Sequence, residues 1–345
     1  MVLLSNVSNH SFCACKWPDA HYSFVQIPFG AGAAFSNLVI LVTIAYYKAL
    51  RSKYLLIMAL AAADFVEGTA TLMAGVYRSV AILEGWACNC VSRFDCMLLP
   101  QSVLWRWSEI ATAFMLLAVS CDRLILVSWP LKHYVNGFTY AKVMVALVYG
   151  SAILNMCYGW VHPILTREQY IPLFCSSSAI FEPVYYQFNK YFSSAGSLLS
   201  VLVYCLIIFE FRRQSQSKIF VLDRTKNRQD RNDILRYEKN QRQLTLTLGI
   251  SSFCTLFLDA IPRAYGILCH FTPDVNVLGS NSVYLFQLTK LNGIANFVIY
   301  ALRQKDIRLG FKSLVRLKSM PSDASIWEMN QVSFRTDRRY ESTAQ

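Results

Sequence analysis

Glu67, Arg78, Arg106, Glu109, Asp259, Arg263 and Lys290 all lie inside long apolar stretches of the sequence. Charges are expensive to bury there, so they either neutralise one another or serve a function. Arg106 and Glu109 are three apart, and Asp259 and Arg263 four apart, so each pair can meet on one helix face. Two readings of the set stay open. It is a group of internal ion pairs, or it is a pocket for a small polar or anionic ligand with Arg106, Arg263 or Lys290 as the cationic contact and Glu67 and Glu109 beside them. No hydrolytic or redox constellation accompanies these residues, so neither an enzyme nor a metal site is expected.

The elements that must position such residues are membrane spans. The chain of 345 residues is 54% hydrophobic and 16% charged, against about 25% charged in soluble domains. Runs of roughly 20 apolar residues, the length that crosses a bilayer core, fall at Val25–Tyr47, Tyr54–Ala81, Ser102–Val127, Tyr140–Ile164, Tyr186–Phe211, Leu244–Cys269 and Val283–Leu302. In lipid each backbone polar group must be paired internally, so runs of this length are helices. The pattern predicts an all-α bundle of seven transmembrane helices over residues 25–317, a tail over 1–24 and a disordered tail over 318–345. The first 24 residues lack a basic head and an apolar core, so no cleavable signal peptide is expected. No pairing of the two halves suggests a transporter, the rival seven-helix class.

Basic residues orient the bundle. Lys48–Lys53 carries three, Ser128–Lys142 two, Arg212–Arg242 ten and the tail from Arg303 nine, whereas the other side has Lys16, Arg93, Arg167 and Lys190. The N-terminus is therefore expected outside a plasma membrane and the C-terminus inside. The sequons at Asn6 and Asn9 agree, since both lie in the N-terminal tail. The net charge of +12 becomes a property of the cytoplasmic face, and nucleic acid is not expected as a partner. Cys13, Cys15, Cys88, Cys90, Cys96 and Cys175 fall on the oxidising side. One bridge is expected between Cys96, just before the third span, and Cys175, in the loop after the fourth. The pairing of the other four stays open.

Several short motifs occur in order along the spans. They are Ser36-Asn37, Leu60-Ala61-Ala62-Ala63-Asp64, Asp122-Arg123-Leu124, Pro130-Leu131, Tyr204, Pro262 and Asn296-Phe297-Val298-Ile299-Tyr300. In these the chain resembles rhodopsin-like G-protein-coupled receptors from Val25 to about Leu317. Leu50-Arg51-Ser52-Lys53-Tyr54-Leu55 and the stretch from Cys121 to Tyr134 look most like nematode chemosensory receptors of the Srsx type.

The resemblance implies roles. Arg123 would pair with Asp122 at rest and meet a heterotrimeric G protein when active, with Leu131 as the apolar knob and Tyr204 and Tyr300 in the same machinery. Arg242 stands where some relatives carry an acid, so no salt bridge between the third and sixth helices is expected. Asn37, Asp64, Thr112, Asn292 and Asn296 match a buried polar cluster that holds a sodium ion or, equally, packs as a polar network around a protonated Asp64. Trp105 takes the place of the aspartate of amine receptors, so a different small molecule or short peptide is the expected ligand. Lys290 stands in the register of the retinal-linked lysine of opsins, with Glu67 or Glu109 as counter-ion. Gln101 and Ala260 do not fit that alternative, and retinal is not expected.

The departures from the family pattern are Leu124, Gly150, Gly196, Ala260 and Phe297, which stand where tyrosine, tryptophan, proline, tryptophan and proline are usual. The usual tryptophan switch is therefore absent. Beyond Tyr300, Arg303–Lys318 places Ile307, Phe311, Leu314 and Val315 on one face, which reads as a short amphipathic eighth helix on the bilayer surface. Ser319, Ser322, Ser325, Ser333, Thr336, Ser342 and Thr343 are candidate phosphorylation sites for arrestin.

Overall fold

The computed structural model describes residues 20–224, 249–272 and 282–315. Asn6, Asn9, Cys13, Cys15, Arg242, the tail serines and threonines, and the side chains of Pro130 and Leu131 lie outside the described residues.

Among the described residues six helical stretches are long and apolar enough to cross a membrane: His21–Tyr46, Leu55–Leu83, Pro100–Ser128, Phe138–Leu165, Pro183–Glu210 and Gly249–Cys269. They belong to helices α1 (Ala20–Tyr46), α3 (Leu55–Leu83), α5 (Pro100–Ser128), α6 (Pro130–Leu165) and α8 (Pro183–Arg224), and to a sixth stretch that ends in α9 (Ile261–Phe271). In that stretch residues 249–255 are α-helical and Leu256–Ala260 form a π turn. Short helices α2 (Lys48–Lys53), α4 (Arg93–Leu98) and α7 (Ser177–Ile180) lie between the long ones, and α10 (Ser282–Arg303) and α11 (Lys305–Val315) follow them.

The polarity of the bundle is inverted relative to a soluble protein. Phe35, Leu147, Leu154, Leu202 and Phe253 are exposed, while Asn37, Asp64, Glu67, Arg106, Asp259, Lys290 and Asn296 are buried. An apolar exterior around a polar interior is stable only in a solvent as apolar as lipid.

Close backbone approach holds α1 against α3. A Cβ on Gly68 would lie 2.5 Å from Ala34 N, and one on Gly30 would collide with the backbone of Leu72. Small residues at such crossings replace the hydrophobic drive that lipid does not supply. The α5–α8 contact uses the same device. Gly196 faces Ala113 at ordinary contact distance, Ser120 and Ser200 share a hydrogen bond at 2.8 Å, and Ser200 donates to the Leu116 carbonyl at 3.3 Å.

The fold differs from the sequence expectation in several places. It is not wholly α-helical: Cys90–Ser92 (β1) pairs antiparallel with Tyr170–Pro172 (β2). Both segments are too short for an alternating pattern to reveal. The first helix begins at Ala20, not Val25, because a helix satisfies its own backbone and need not stop where the apolar run does. For the same reason α6 begins at Pro130, ten residues before Tyr140, with the proline at its first position, where the missing N–H costs nothing. With glycine at 196, α8 runs unbroken for 42 residues, about 60 Å at 1.5 Å per residue.

Cys96 and Cys175 form a disulfide with their Cα atoms 5.5 Å apart, and Cys88 and Cys90 are disulfide-bonded as well. The bridge and the β1–β2 pair fold the chain before α8 over one end of the bundle. Cys175 has a φ of 49°, a region that side chains other than glycine's rarely enter. At the opposite end Asp306 of α11 accepts hydrogen bonds from Lys53 at 2.7 Å and Tyr54 at 3.0 Å.

Candidate functional site

A cavity of about 550 Å³ opens beneath the disulfide. It is lined by Glu67 and Arg78 of α3, Trp105, Arg106 and Glu109 of α5, Arg263 of α9 and Lys290 of α10. Lys190, Ser193 and Ser194 of α8 complete one wall, and Phe174 and Ser176 to Ser178 close the mouth. All six residues that the sequence marked as pocket candidates thus face one space.

Within it the ion pairs form a chain. Arg106 Nη1 lies 3.2 Å from Glu109 Oε2, and Arg263 Nη1 lies 3.8 Å from Glu109 Oε1. Arg263 Nε donates to Asp259 Oδ1 at 2.8 Å, and its Nη1 to Ser193 Oγ at 2.9 Å. Ser197 donates to Asp259 Oδ2 at 2.5 Å. Two guanidinium groups therefore balance two carboxylates. The π turn Leu256–Ala260 contains Asp259, and the extra residue in such a turn re-aims its side chains. Lys290 donates to Glu67 in a further buried pair. Its ammonium also lies 5.4 Å from the centre of the Trp105 ring. The expectation that Arg106, Arg263 or Lys290 stands ready as a cationic contact is thereby modified, since each already has a carboxylate.

Arg78 differs from these three. Its Nη1 donates to Gln26 Oε1 at 3.4 Å and its Nη2 to the Cys175 carbonyl at 3.3 Å. The rings of Phe174 and Trp105 lie 4.9 and 5.7 Å from its guanidinium carbon.

A second polar group lies one helical turn from Glu67. Asp64 is buried, and a Cβ on Gly293 would come 3.6 Å from its Oδ2 and 3.1 Å from Asn37 Nδ2. Asn37 donates to the Ala33 carbonyl at 2.9 Å. Thr112 lies beside the carboxyls of Asp64 and Glu67, with its hydroxyl oxygen buried. Asn292 and Asn296 accept from Thr255 at 3.2 Å and Ser251 at 2.9 Å, which ties α10 to the stretch before α9. Polar side chains therefore run from the cavity at Lys290 and Glu67 past Thr112 to Asp64.

Arg123 stands 17 residues after Arg106 on the same helix, about 25 Å further along it. Its Nε is 3.7 Å from Asp122 Oδ2. Tyr204 and Tyr300 are buried toward the same end of the bundle. Tyr204 packs with Val127 and Ile207, and its hydroxyl faces Gly249. Tyr300 packs with Ile40, Ile44 and Ile57.

Sequence reasoning overlooked Ser193, Ser197, Ser251 and Thr255. The two serines of α8 recur with Ser200 at helical spacing, a polar stripe on an apolar helix that could have exposed them. Nothing in the sequence signals the π turn.

Residues 32–315 match the family described as Serpentine type 7TM GPCR chemoreceptor Srsx. No curated protein matches the chain.

Proposed function

The chain belongs to the Srsx family of serpentine seven-transmembrane chemoreceptors, and from that premise we propose that it binds a small polar ligand in the charged cavity and activates a heterotrimeric G protein through Arg123. The carrying observation is the cavity itself, a concave space at the disulfide end with convergent cations, carboxylates and aromatic rings. Lys and Arg asymmetry supports a cytoplasmic Arg123 and an N-terminus on the far side of the membrane, and membership of a chemoreceptor family supports the plasma membrane as its location. In this orientation α10 is the seventh span and α11, with Ile307 buried and Phe311 and Val315 exposed, is the helix on the inner leaflet.

A ligand that fits one arrangement of the cavity better than another shifts the population toward it. The two ends share α5, and the stretch before α9 meets α10 through Thr255–Asn292 and Ser251–Asn296. Movement of that stretch relative to α5 would free Arg123 from Asp122 for the G protein. With Ala260 buried in the π turn, the movement would pivot on the turn in place of a tryptophan side chain. Arrestin would follow through the serine-rich tail.

The donor set at Asp64 suits a hard monovalent cation. It offers a buried carboxylate that no described cation pairs with, beside the hydroxyl of Thr112. Asp64 and Thr112 would hold a sodium ion, with water supplying the remaining oxygens. Retinal is disfavoured, because a cavity lined by Glu67, Glu109 and several cations is poorly matched to a long hydrocarbon chain.

The test is a ligand screen on the full chain in a heterologous cell, read as G-protein activation across the Gα classes. Ligand-dependent nucleotide exchange is expected. A receptor that binds a ligand in the cavity yet promotes no exchange on any Gα would overturn the reading.

A further inference from the structure

Among the cations of the cavity, Arg78 stands apart in its bonding. Arg106 and Arg263 share Glu109 and Asp259, and Lys290 holds Glu67. Around Arg78 the titratable neighbours are the phenols of Tyr22, Tyr77 and Tyr186, and no described carboxylate pairs with it. It is nevertheless buried, with 7% of its surface exposed. A guanidinium carries five N–H donors and stays charged, and here two of them reach neutral acceptors, both at more than 3.2 Å. A buried charge without a counter-charge is costly. The fold retains this one at the cavity wall, where a ligand can reach it.

From this geometry we infer that Arg78 is the anion anchor of the ligand site, and that the ligand is a small organic acid whose carboxylate pairs with Arg78 while its apolar body lies against Trp105 and Phe174. This rests on the cavity being the ligand site. The rings of Phe174 and Trp105 lie 4.9 and 5.7 Å from the guanidinium carbon. The two long hydrogen bonds to neutral acceptors engage two of its five N–H donors, so a planar carboxylate, which can accept two at once, has donors to meet. An amine ligand would instead meet Arg78 with like charge. Lys190, over the Tyr186 ring at 4.5 Å, adds positive potential on the α8 wall. The anchor also links ligand to lid, because Arg78 already bonds the Cys175 carbonyl beside the disulfide. An incoming carboxylate would draw α3 and the loop after β2 together.

The experiment uses the purified full-length receptor in nanodiscs. Hexanoate, octanoate, 3-phenylpropanoate and indole-3-acetate, each beside its primary amide, are titrated by thermal unfolding and by tryptophan fluorescence. At least one acid is expected to bind saturably and its amide about 10- to 100-fold more weakly, the span of one charge-assisted hydrogen-bond pair. Arg78→Gln should lose the same factor, Arg78→Lys should fall between, and Lys142→Gln, outside the cavity, should match wild type. Acids and amides that bind alike, an Arg78→Gln receptor that binds an acid at full strength, or four acids that all fail to bind would each overturn the inference. Should Arg78→Gln not fold, the acid-against-amide comparison on wild type and the Arg78→Lys titration decide. Failure of the receptor reading is distinguishable: acids would bind through Arg78 and leave nucleotide exchange unchanged.

Discussion

Lys290 and Glu67, 223 residues apart in the sequence, form one buried ion pair that joins α10 to α3 at the floor of the cavity. It fixes the distance between two helices that contribute to the cavity and to the polar cluster below it. Removing one partner of a buried pair leaves the other charge uncompensated, which costs about 3–5 kcal/mol. Lys290→Met is therefore expected to lower the thermal unfolding midpoint of the purified receptor by that equivalent. The double substitution Lys290→Met with Glu67→Gln should recover most of the loss. If the two single effects simply add in the double variant, the pair is not coupled as described.

The α1–α3 crossing makes a packing prediction. Gly68→Ala forces a methyl group against the backbone of Ala33 and Ala34, and overpacking of this kind costs about 1–3 kcal/mol. Gly150→Ala is the internal contrast, because nothing lies within 4 Å of its Cβ position. It should be neutral or stabilising by about 0.5–1 kcal/mol through helix propensity. Surface expression and unfolding midpoints of the two variants check this, and equal behaviour would count against the close crossing.

Asp64 gives a salt-specific prediction. At equal ionic strength the receptor is expected to unfold at a higher temperature in sodium chloride than in potassium chloride, by the linkage between binding and stability. Asp64→Asn should abolish the difference. Identical midpoints for wild type in the two salts would leave Asp64 as part of a polar packing network.

Much of this site could be read before any coordinates, and the reasons are physical. Charges inside apolar runs are conspicuous whatever the fold, so Glu67, Arg106, Glu109, Arg263 and Lys290 were marked by composition alone. Pairs three or four apart, such as Arg106–Glu109 and Asp259–Arg263, need only helical spacing to be foreseen. The resemblance to opsins narrowed the partner of Lys290 to Glu67 or Glu109, but spacing could not choose between them, because residues 223 apart share no local pattern. The distinction of Arg78 was hidden for the same reason: which of several cations lacks a carboxylate is decided by tertiary placement. The three-residue strands and the π turn at Leu256–Ala260 were out of reach because neither leaves a periodic trace. The start of α6 at Pro130 was missed because hydropathy reports where lipid ends and not where a helix ends.

The proposed route from the cavity to a G protein runs through Arg123, and nucleotide exchange tests it most directly. Purified wild-type and Arg123→Ala receptors are each reconstituted with the responsive heterotrimer, and exchange is followed with and without the activating ligand. Arg123→Ala is expected to fold and bind ligand like wild type while its ligand-dependent exchange falls by at least about tenfold, the loss of one charge-assisted contact to the partner. Full ligand-dependent exchange by Arg123→Ala would contradict the account.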